Sequence, residues 1–324
     1  MTLDKSWQAG ANKDILICRA NLLRCIREFF FQINTLEVDT PALSLSTTPD
    51  PNIDSFTSQY FSQQYYLHTS PEFPMKRLLA SGSGPIYQIC KVFRHGEAGK
   101  HHNPEFTMLE WYQPGMTYHA LMKQIDELLR LVLKDTLPLN DTVSIRYKDL
   151  FEQQFAINPL TCSKKDLFAA VEQHNINLHD SANNIGRDTL LDVLVTHIIQ
   201  PSLPDNTPIF VYDYPESQAA LAVIRREDEP VAERFELYLN GLELANGYQE
   251  LLDANEMQLR FENENRQREE KGIPTIPLDE HLLNALHAGL PMMSGVAVGF
   301  DRLLMLATGE QDIRNVMAFS FDNA

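Results

Sequence analysis

FRHGEAGKHHNPEFTMLEWY, running from Phe93 to Tyr112, divides into a polar loop and a strand. The loop carries Arg94, Lys100, His101 and His102, with glycines at Gly96 and Gly99. The second half is rich in aromatic and β-favouring residues. Side chains alternate across a strand, so Phe106, Met108, Glu110 and Tyr112 fall on one face, and Thr107, Leu109 and Trp111 on the other. The first face sets a carboxylate between an aromatic ring and a phenol. Burying even a neutral polar group without a partner costs roughly 2–7 kcal/mol, so a cation is expected to meet Glu110. An arginine beside an aromatic ring and a carboxylate suits a nucleotide phosphate, its base and an amine. The competing reading is an edge hairpin with a solvated acidic face, and local pattern leaves both open.

The flanks read as alternating helix and strand. Upstream, Ile86 to Phe93 is a strand, preceded by a helix that starts at Ser70-Pro71-Glu72 and ends by Gly82. Serine as N-cap with proline in the first helical position is a strong start, and Glu72 complements the helix dipole. Tyr65 to Thr69 reads as a strand and Ser44 to Asp54 as a loop. Ile15, Cys18, Leu22, Cys25, Ile26, Phe29 and Ile33 recur at helical spacing. That helix runs into a short strand, Leu36 to Asp39, which Pro41 closes because it has no amide hydrogen to pair. Met1 to Asn12 is polar and reads as loose. The layout suggests antiparallel pairing.

Downstream, Thr117 to Leu133 is an amphipathic helix. Residues 137–204 alternate short helical patterns with polar joints, and read as an insertion or a helical packing layer. His174, His179 and His197 there read as satisfied surface or core residues, not ligands. Strand patterns return at Ile209 to Tyr212, Ala219 to Ile224 and Phe235 to Leu239, and Asn240-Gly241 is a strong hairpin signal. On the return strand Asn246, Tyr248 and Glu250 share a parity that Glu243 lacks. A regular strand cannot aim both glutamates into one pocket, so Gly247 is expected to mark a bulge or bend. Ala254 to Lys271 reads as a charged, exposed helix, and Asp279 to Ala288 as another. The run GVAVGFDRLLMLATG is a small-residue strand, Gly295 to Gly299, then a helix from Asp301 capped by Gly309. Small residues before Arg302 admit either a ligand close to the backbone or a tight packing contact.

Composition bounds the function. In 324 residues, 44% are hydrophobic, enough for a sizeable core. With 27 basic against 44 acidic residues the net charge is −17, which argues against bulk electrostatic binding to nucleic acid, though not against a local basic groove. Cys18, Cys25, Cys90 and Cys162 form no metal-binding pattern, and the first two read as core thiols. No signal peptide or long apolar run is present, so a soluble, reduced, cytoplasmic chain with no membrane contact is expected.

Three separated stretches resemble the signature motifs of class II aminoacyl-tRNA synthetases. Val38 to Pro41 after its helix resembles motif 1, Phe93 to Tyr112 motif 2, and Gly295 to Leu303 motif 3, with Gly299 and Arg302. HNPEFT from His102 and ELANGYQEL from Glu243 are similar to the catalytic core of lysyl-tRNA synthetases. The chain begins with the motif 1 helix, where that synthetase carries an anticodon-gripping β-barrel. It also has Ser70 where the synthetase has Ala, and Ala297 where motif 3 has Gly. With these departures it resembles the freestanding paralogues that ligate lysine to translation elongation factor P.

The resemblance implies an α+β class II catalytic fold, a mostly antiparallel sheet flanked by helices. It implies a single catalytic domain over 1–324, without an anticodon-binding domain, that forms a homodimer through motif 1. The implied reaction is ATP-dependent activation of lysine, preferably (R)-β-lysine, as an adenylate, then transfer to a lysine of elongation factor P and not to tRNA. Carboxylate attack on the α-phosphate needs charge neutralisation, alignment and magnesium. The implied catalytic set is Arg94, Glu243 and Arg302. ATP contacts are implied at Arg94, His95, Gly96, Asn103, Phe106, Glu243, Leu244, Gly299 and Arg302, with Mg2+ held by Glu243 and Glu250. A guanidinium fork suits phosphate, and Phe106 with Arg302 suits adenine. The amino acid is implied to contact Ser70, Pro71, Glu72, Glu110, Tyr112, Asn246, Glu250 and Ala297. The family loop reads Arg-Asn-Glu or Arg-Asp-Glu, whereas Arg94-His95-Gly96 here brings Glu97 one residue late. Either Glu97 substitutes through a shifted loop or ATP is held differently. A freestanding synthetase that charges tRNA and a non-catalytic amino-acid sensor are the alternatives.

Overall fold

The computed structural model describes residues 7–178 and 185–324. The chain enters helix α1 (Lys13–Gln32) through Asn12, whose side chain accepts from the amides of Asp14 and Ile15. Short strands β1 (Leu36–Glu37) and β2 (Leu43–Ser44) precede a hairpin of β3 (Thr57–Tyr60) and β4 (Gln63–Leu67). Helix α2 (Glu72–Ala80), strands β5 (Ile86–Phe93) and β6 (Glu105–Pro114) and helix α3 (Tyr118–Leu133) follow. Strand β7 (Val143–Arg146) leads to α4 (Tyr147–Phe155), α5 (Lys164–Gln173) and α6 (Arg187–Leu194), which runs through a π-helical turn into α7 (Gln200–Ser202). Strands β8 (Ile209–Pro215), β9 (Ile224–Arg225), β10 (Val231–Leu239) and β11 (Leu242–Gln249) come next. The last elements are α8 (Ala254–Glu270), α9 (Glu280–Ala288), β12 (Met293–Gly299) and α10 (Phe300–Thr308).

Among the described residues, one sheet runs β1-β5-β6-β12-β11-β10-β8-β7, with β9 on β10. Pairing is antiparallel from β5 to β8, whereas β1 on β5 and β7 on β8 are parallel. The last strand in the chain, β12, therefore lies between β6 and β11 in the middle of the sheet. One sheet face is covered by α1, α3 and α10, where Ile26, Phe30, Leu121, Leu129 and Leu304 meet Leu109, Trp111, Phe235 and Val296. The alternation along β6 assigns Leu109 and Trp111 to this core and turns Glu110 and Tyr112 away from it.

A buried polar knot joins the distant segments. Asp301 on α10, 1% exposed, accepts from the Arg19 guanidinium of α1 at 2.5 Å and from the Thr107 amide of β6 at 2.6 Å. Arg19 also donates to the Thr107 hydroxyl at 2.6 Å and lies over the Phe300 ring.

Several expectations need correction. Residues 7–12 are not all loose: Ala11 is buried, and Gly10 and Ala11 donate to the carbonyls of Ala318 and Met317. Strand β3 is an addition that no alternation announces, since all of it is exposed. Ala219 to Ile224 is not a continuous strand but begins as a turn, with Ala220 at φ +46°, after which Ala222 bridges to Glu250 and Ile224 pairs with Ala232. Ala219, Leu221 and Ala222 are buried all the same, which is why the stretch mimics a strand. Helix α8 is not wholly exposed, because Met257 and Phe261 pack on Leu282, Leu283 and Leu286 of α9. Within 137–204 the helices build their own core around Tyr147, Phe151, Leu167 and Leu194 against β8, while β7 joins the sheet edge. There His174 caps α5 against the Phe155 ring and His197 bonds the Val193 carbonyl; His179 lies outside the described residues. Cys18 and Cys25 are half-buried at the edge of the core.

Candidate active site

The open face of the sheet is built in rows. Register aligns Gln88, Glu110, Ala297, Asn246 and Glu236 across β5, β6, β12, β11 and β10. The next row is Ile86, Tyr112, Gly295, Tyr248 and Arg234. Over them lies a cleft of about 250 Å³, walled by the loop from Ser44 to Ile53, the start of α2, the loop after β5 and helix α8.

Both glutamates of the return strand do enter this cleft, but not through Gly247. The turn Asn240-Gly241 has both residues at positive φ (50° and 71°), the conformation a tight hairpin of this hand needs. Leu237 then pairs with Ala245 and Tyr238 with Glu243, so Leu244 is the extra residue of a bulge. The bulge moves Glu243 onto the face of Asn246, Tyr248 and Glu250. Gly247 is needed for a different reason: a Cβ there would come 2.4 Å from Cζ of Phe235 and 2.8 Å from the Gly295 carbonyl.

At one end of the cleft three carboxylates gather. Glu110 is 2% exposed, yet among the described residues no side-chain cation pairs with it. It accepts from the hydroxyls of Ser70 and Tyr112, each at 2.7 Å. Burial and the nearby Glu72 carboxylate push its pKa up to about 8 against those two hydrogen bonds. The cation buried nearby is Lys76 of α2, and it serves two other carboxylates. Its ammonium, 0% exposed, sits 2.6 Å from Glu72 and 2.6 Å from Glu250. Burial alone would lower the pKa of Lys76, but Glu250 and Glu72 outweigh it and raise it. Glu250 is pushed up to about 7 by burial and by Glu72, opposed by Lys76. Gly295 leaves the space these groups occupy: a Cβ there would fall 2.3 Å from Tyr112 and 2.5 Å from Glu250.

At the other end the groups are cationic and aromatic. Arg94 lies over the Phe106 ring at 5.2 Å, 3.6 Å from the Glu97 carboxylate, and its buried Nε has no partner among the described residues. Arg302 donates to the Glu243 carbonyl at 2.6 Å and bonds His102 Nε2 at 2.8 Å. His102 is lowered by burial and by Arg302, and so favours its neutral form. The Glu243 pKa is raised by burial and by neighbouring Glu236, against Arg302, Arg234 and Arg94. Arg234 of β10 reaches the Asn246 side chain at 3.2 Å and pairs with Glu236, which also accepts from Tyr238.

Most of the residues expected at a site do line this cleft: Ser70, Glu72, Arg94, Asn103, Phe106, Glu110, Tyr112, Glu243, Leu244, Asn246, Glu250, Ala297, Gly299 and Arg302. Three do not. Pro71 caps α2, while His95 and Gly96 turn away, His95 bonding the Asp54 carbonyl and facing the Phe56 ring. Glu97 takes the place on the cleft wall instead, beside Arg94. Asn103 is largely occupied: its amide donates to the Glu105 carbonyl and accepts from the Phe321 amide. Glu250 pairs with Lys76, and the carboxylate that acts on Glu243 is Glu236.

Sequence reasoning missed Lys76, Glu236, Tyr248 and Glu264. Lys76 follows Glu72 by one helical turn, a spacing visible in the sequence. Glu264, on the polar helix α8, lines the cleft with one oxygen unpartnered, and burial and Asp50 push it up to about 8.

Comparison with known proteins places these motifs in a wider group. Residues 5–323 match the model for tRNA synthetases class II (D, K and N). A protein of Pasteurella multocida named elongation factor P--(R)-beta-lysine ligase is 45% identical over 326 residues, 99% of both chains. Proteins of the same name from Haemophilus influenzae and Salmonella gallinarum are each 45% identical over the full length of both chains.

Proposed function

The chain belongs to the class II tRNA synthetase family (D, K and N), and from that premise we propose that it activates a lysine-type diamino acid, preferably (R)-β-lysine, for ligation to elongation factor P. The observation that carries this reading is the division of the cleft. A fork of arginines with an aromatic ring lies at one end, and three carboxylates gather at the other.

In this reading Arg94 and Arg302 flank ATP, with Phe106 under the base and Glu97 beside it. Arg94, whose Nε is unpartnered, neutralises the α-phosphate as the amino-acid carboxylate attacks and pyrophosphate leaves. Glu72 and Glu110 receive the backbone amine, while Glu250, Tyr112 and Asn246 receive the distal one. Among the described residues Glu110 has hydroxyl partners alone, so a substrate ammonium supplies the cation it lacks. Ser70 and Ala297 shape the floor under the backbone end. Magnesium would neutralise the phosphates from Glu243 and Glu236, like charges close enough to raise the Glu243 pKa. Among the described residues no cluster of three or more ligands exists, which suits an ion held by one or two carboxylates and substrate oxygens.

Adenylate formation leaves a carbonyl that an acceptor amine attacks, releasing AMP. The acceptor is proposed as a lysine side chain of elongation factor P in the cytoplasm. Among the described residues no helix is long and apolar enough to cross a membrane. Exposed Ile17, Phe31 and Leu36 along α1 and β1 support a second copy of the chain there. Supplied with ATP, (R)-β-lysine, elongation factor P and tRNA at physiological salt, the enzyme is expected to add mass to the elongation factor. Charging of tRNA with the factor unmodified would overturn the acceptor and favour a freestanding synthetase.

The amino-acid end has its own test. Gly295→Ala places a methyl into Tyr112 and Glu250. Overpacking of about 1–3 kcal/mol corresponds to a rise in amino-acid KM of roughly 5- to 150-fold. The KM for ATP is expected to stay near wild type in pyrophosphate exchange. An unchanged amino-acid KM would place the substrate elsewhere.

A further inference from the structure

Resting on that substrate reading, we infer that Lys76 is a positioning residue: a built-in cation that sets Glu72 and Glu250 as separate receivers for the two amines of the substrate. The geometry is that of a clamp. One ammonium, fully enclosed, lies 2.6 Å from a carboxylate of α2 and 2.6 Å from one at the end of β11. These two glutamates belong to segments far apart in the chain, and Lys76 is the charged group that ties them. Glu250 is further fixed by the Gly295 backbone, and Ser70 donates to Glu110 on the neighbouring strand.

The charge count shows what the clamp does. Glu72, Glu110 and Glu250 gather in one enclosed space, with the phenols of Tyr112 and Tyr248 among them and Glu264 facing Glu72 from α8. With both amines bound, Glu110 ionised by the ammonium it receives and Glu264 held protonated by burial, three negative charges remain to be balanced. A diamino acid brings two ammonium groups. Lys76 supplies the third charge, so a substrate with two amines balances the pocket and a substrate with one does not. Its position also matters, because it occupies the space between Glu72 and Glu250. No single substrate ammonium can then bridge them, and each amine meets its own carboxylate. Hydrogen bonds of this enclosed kind preorganise a site before its ligand arrives.

The test uses the full chain in pyrophosphate exchange with lysine and (R)-β-lysine, comparing Lys76→Gln and Lys76→Arg with wild type. Lys76→Gln removes the charge, and the amino-acid KM is expected to rise about tenfold or more, with the KM for ATP and kcat within about threefold. Lys76→Arg keeps the charge but moves it, and its KM is expected to fall between the two. KM does not depend on how much enzyme folds, so a purely structural role would lower apparent kcat and leave KM alone. Should Lys76→Gln not fold, Lys76→Arg alone decides, with a raised amino-acid KM expected. An amino-acid KM at the wild-type value in either variant, or Arg no better than Gln, overturns the inference. Wild-type enzyme that exchanges with neither amino acid would instead overturn the substrate reading on which it rests.

Discussion

Arg94→Ala is expected to slow lysine-dependent pyrophosphate exchange by roughly 100-fold or more, the scale of losing one donor aimed at transition-state charge. Three features of Arg94 point to an effect on rate. It is held over Phe106, so its guanidinium plane is set before any ligand arrives. Its protein partner is a 3.6 Å contact with Glu97, too long for a strong charge-assisted bond. Its Nε is buried and unpartnered, a costly arrangement unless a ligand completes it. The loss should therefore appear in kcat with a smaller change in KM for ATP. Exchange near the wild-type rate would remove Arg94 from the phosphate role and leave Arg302 to carry it.

Asp301→Ala is expected to cost about 3–5 kcal/mol of stability, because it breaks a buried ion pair and leaves Arg19 and the Thr107 amide without their acceptor. Arg27 and Glu37 make the internal control. They pair at 3.0 Å but are 49% and 42% exposed, so Glu37→Ala is expected to cost no more than about 1 kcal/mol. Urea unfolding of both variants reads the difference directly. Equal midpoints would show that Asp301 contributes no more than a surface charge and that packing alone holds the three segments.

What could be read from sequence follows the physics of each segment. Strand β6 was legible because one face is core: Leu109 and Trp111 must alternate with Glu110 and Tyr112, and no other period fits. The Asn240-Gly241 turn was legible because few residues accept positive φ in succession. Strand β3 was not, since an exposed hairpin arm carries no hydrophobic alternation. The parity conflict between Glu243 and Glu250 correctly demanded a bulge, but composition pointed to glycine while the backbone placed it at Leu244. Lysine in a helix ordinarily reads as solvated, so Lys76 gave no sign of burial. Glu72 lies one helical turn away, but Glu250 follows β11, and only tertiary structure brings it to Lys76. The cation expected at Glu110 is not supplied by a side chain among the described residues, where two hydroxyl donors stand instead.

The knot at Asp301 also bears on time. Arg19 and Asp301 are separated by 282 residues, and β12, the central strand, is completed just before Asp301. Synthesis at about 5–20 residues per second therefore keeps α1 waiting roughly a quarter of a minute to a minute for its partner. Until then β6 and β11 have no strand between them, and each presents an open edge. The nascent chain must be shielded from its neighbours during that interval, so its yield in the cell depends on the pace of the ribosome and the supply of chaperones as well as on final stability.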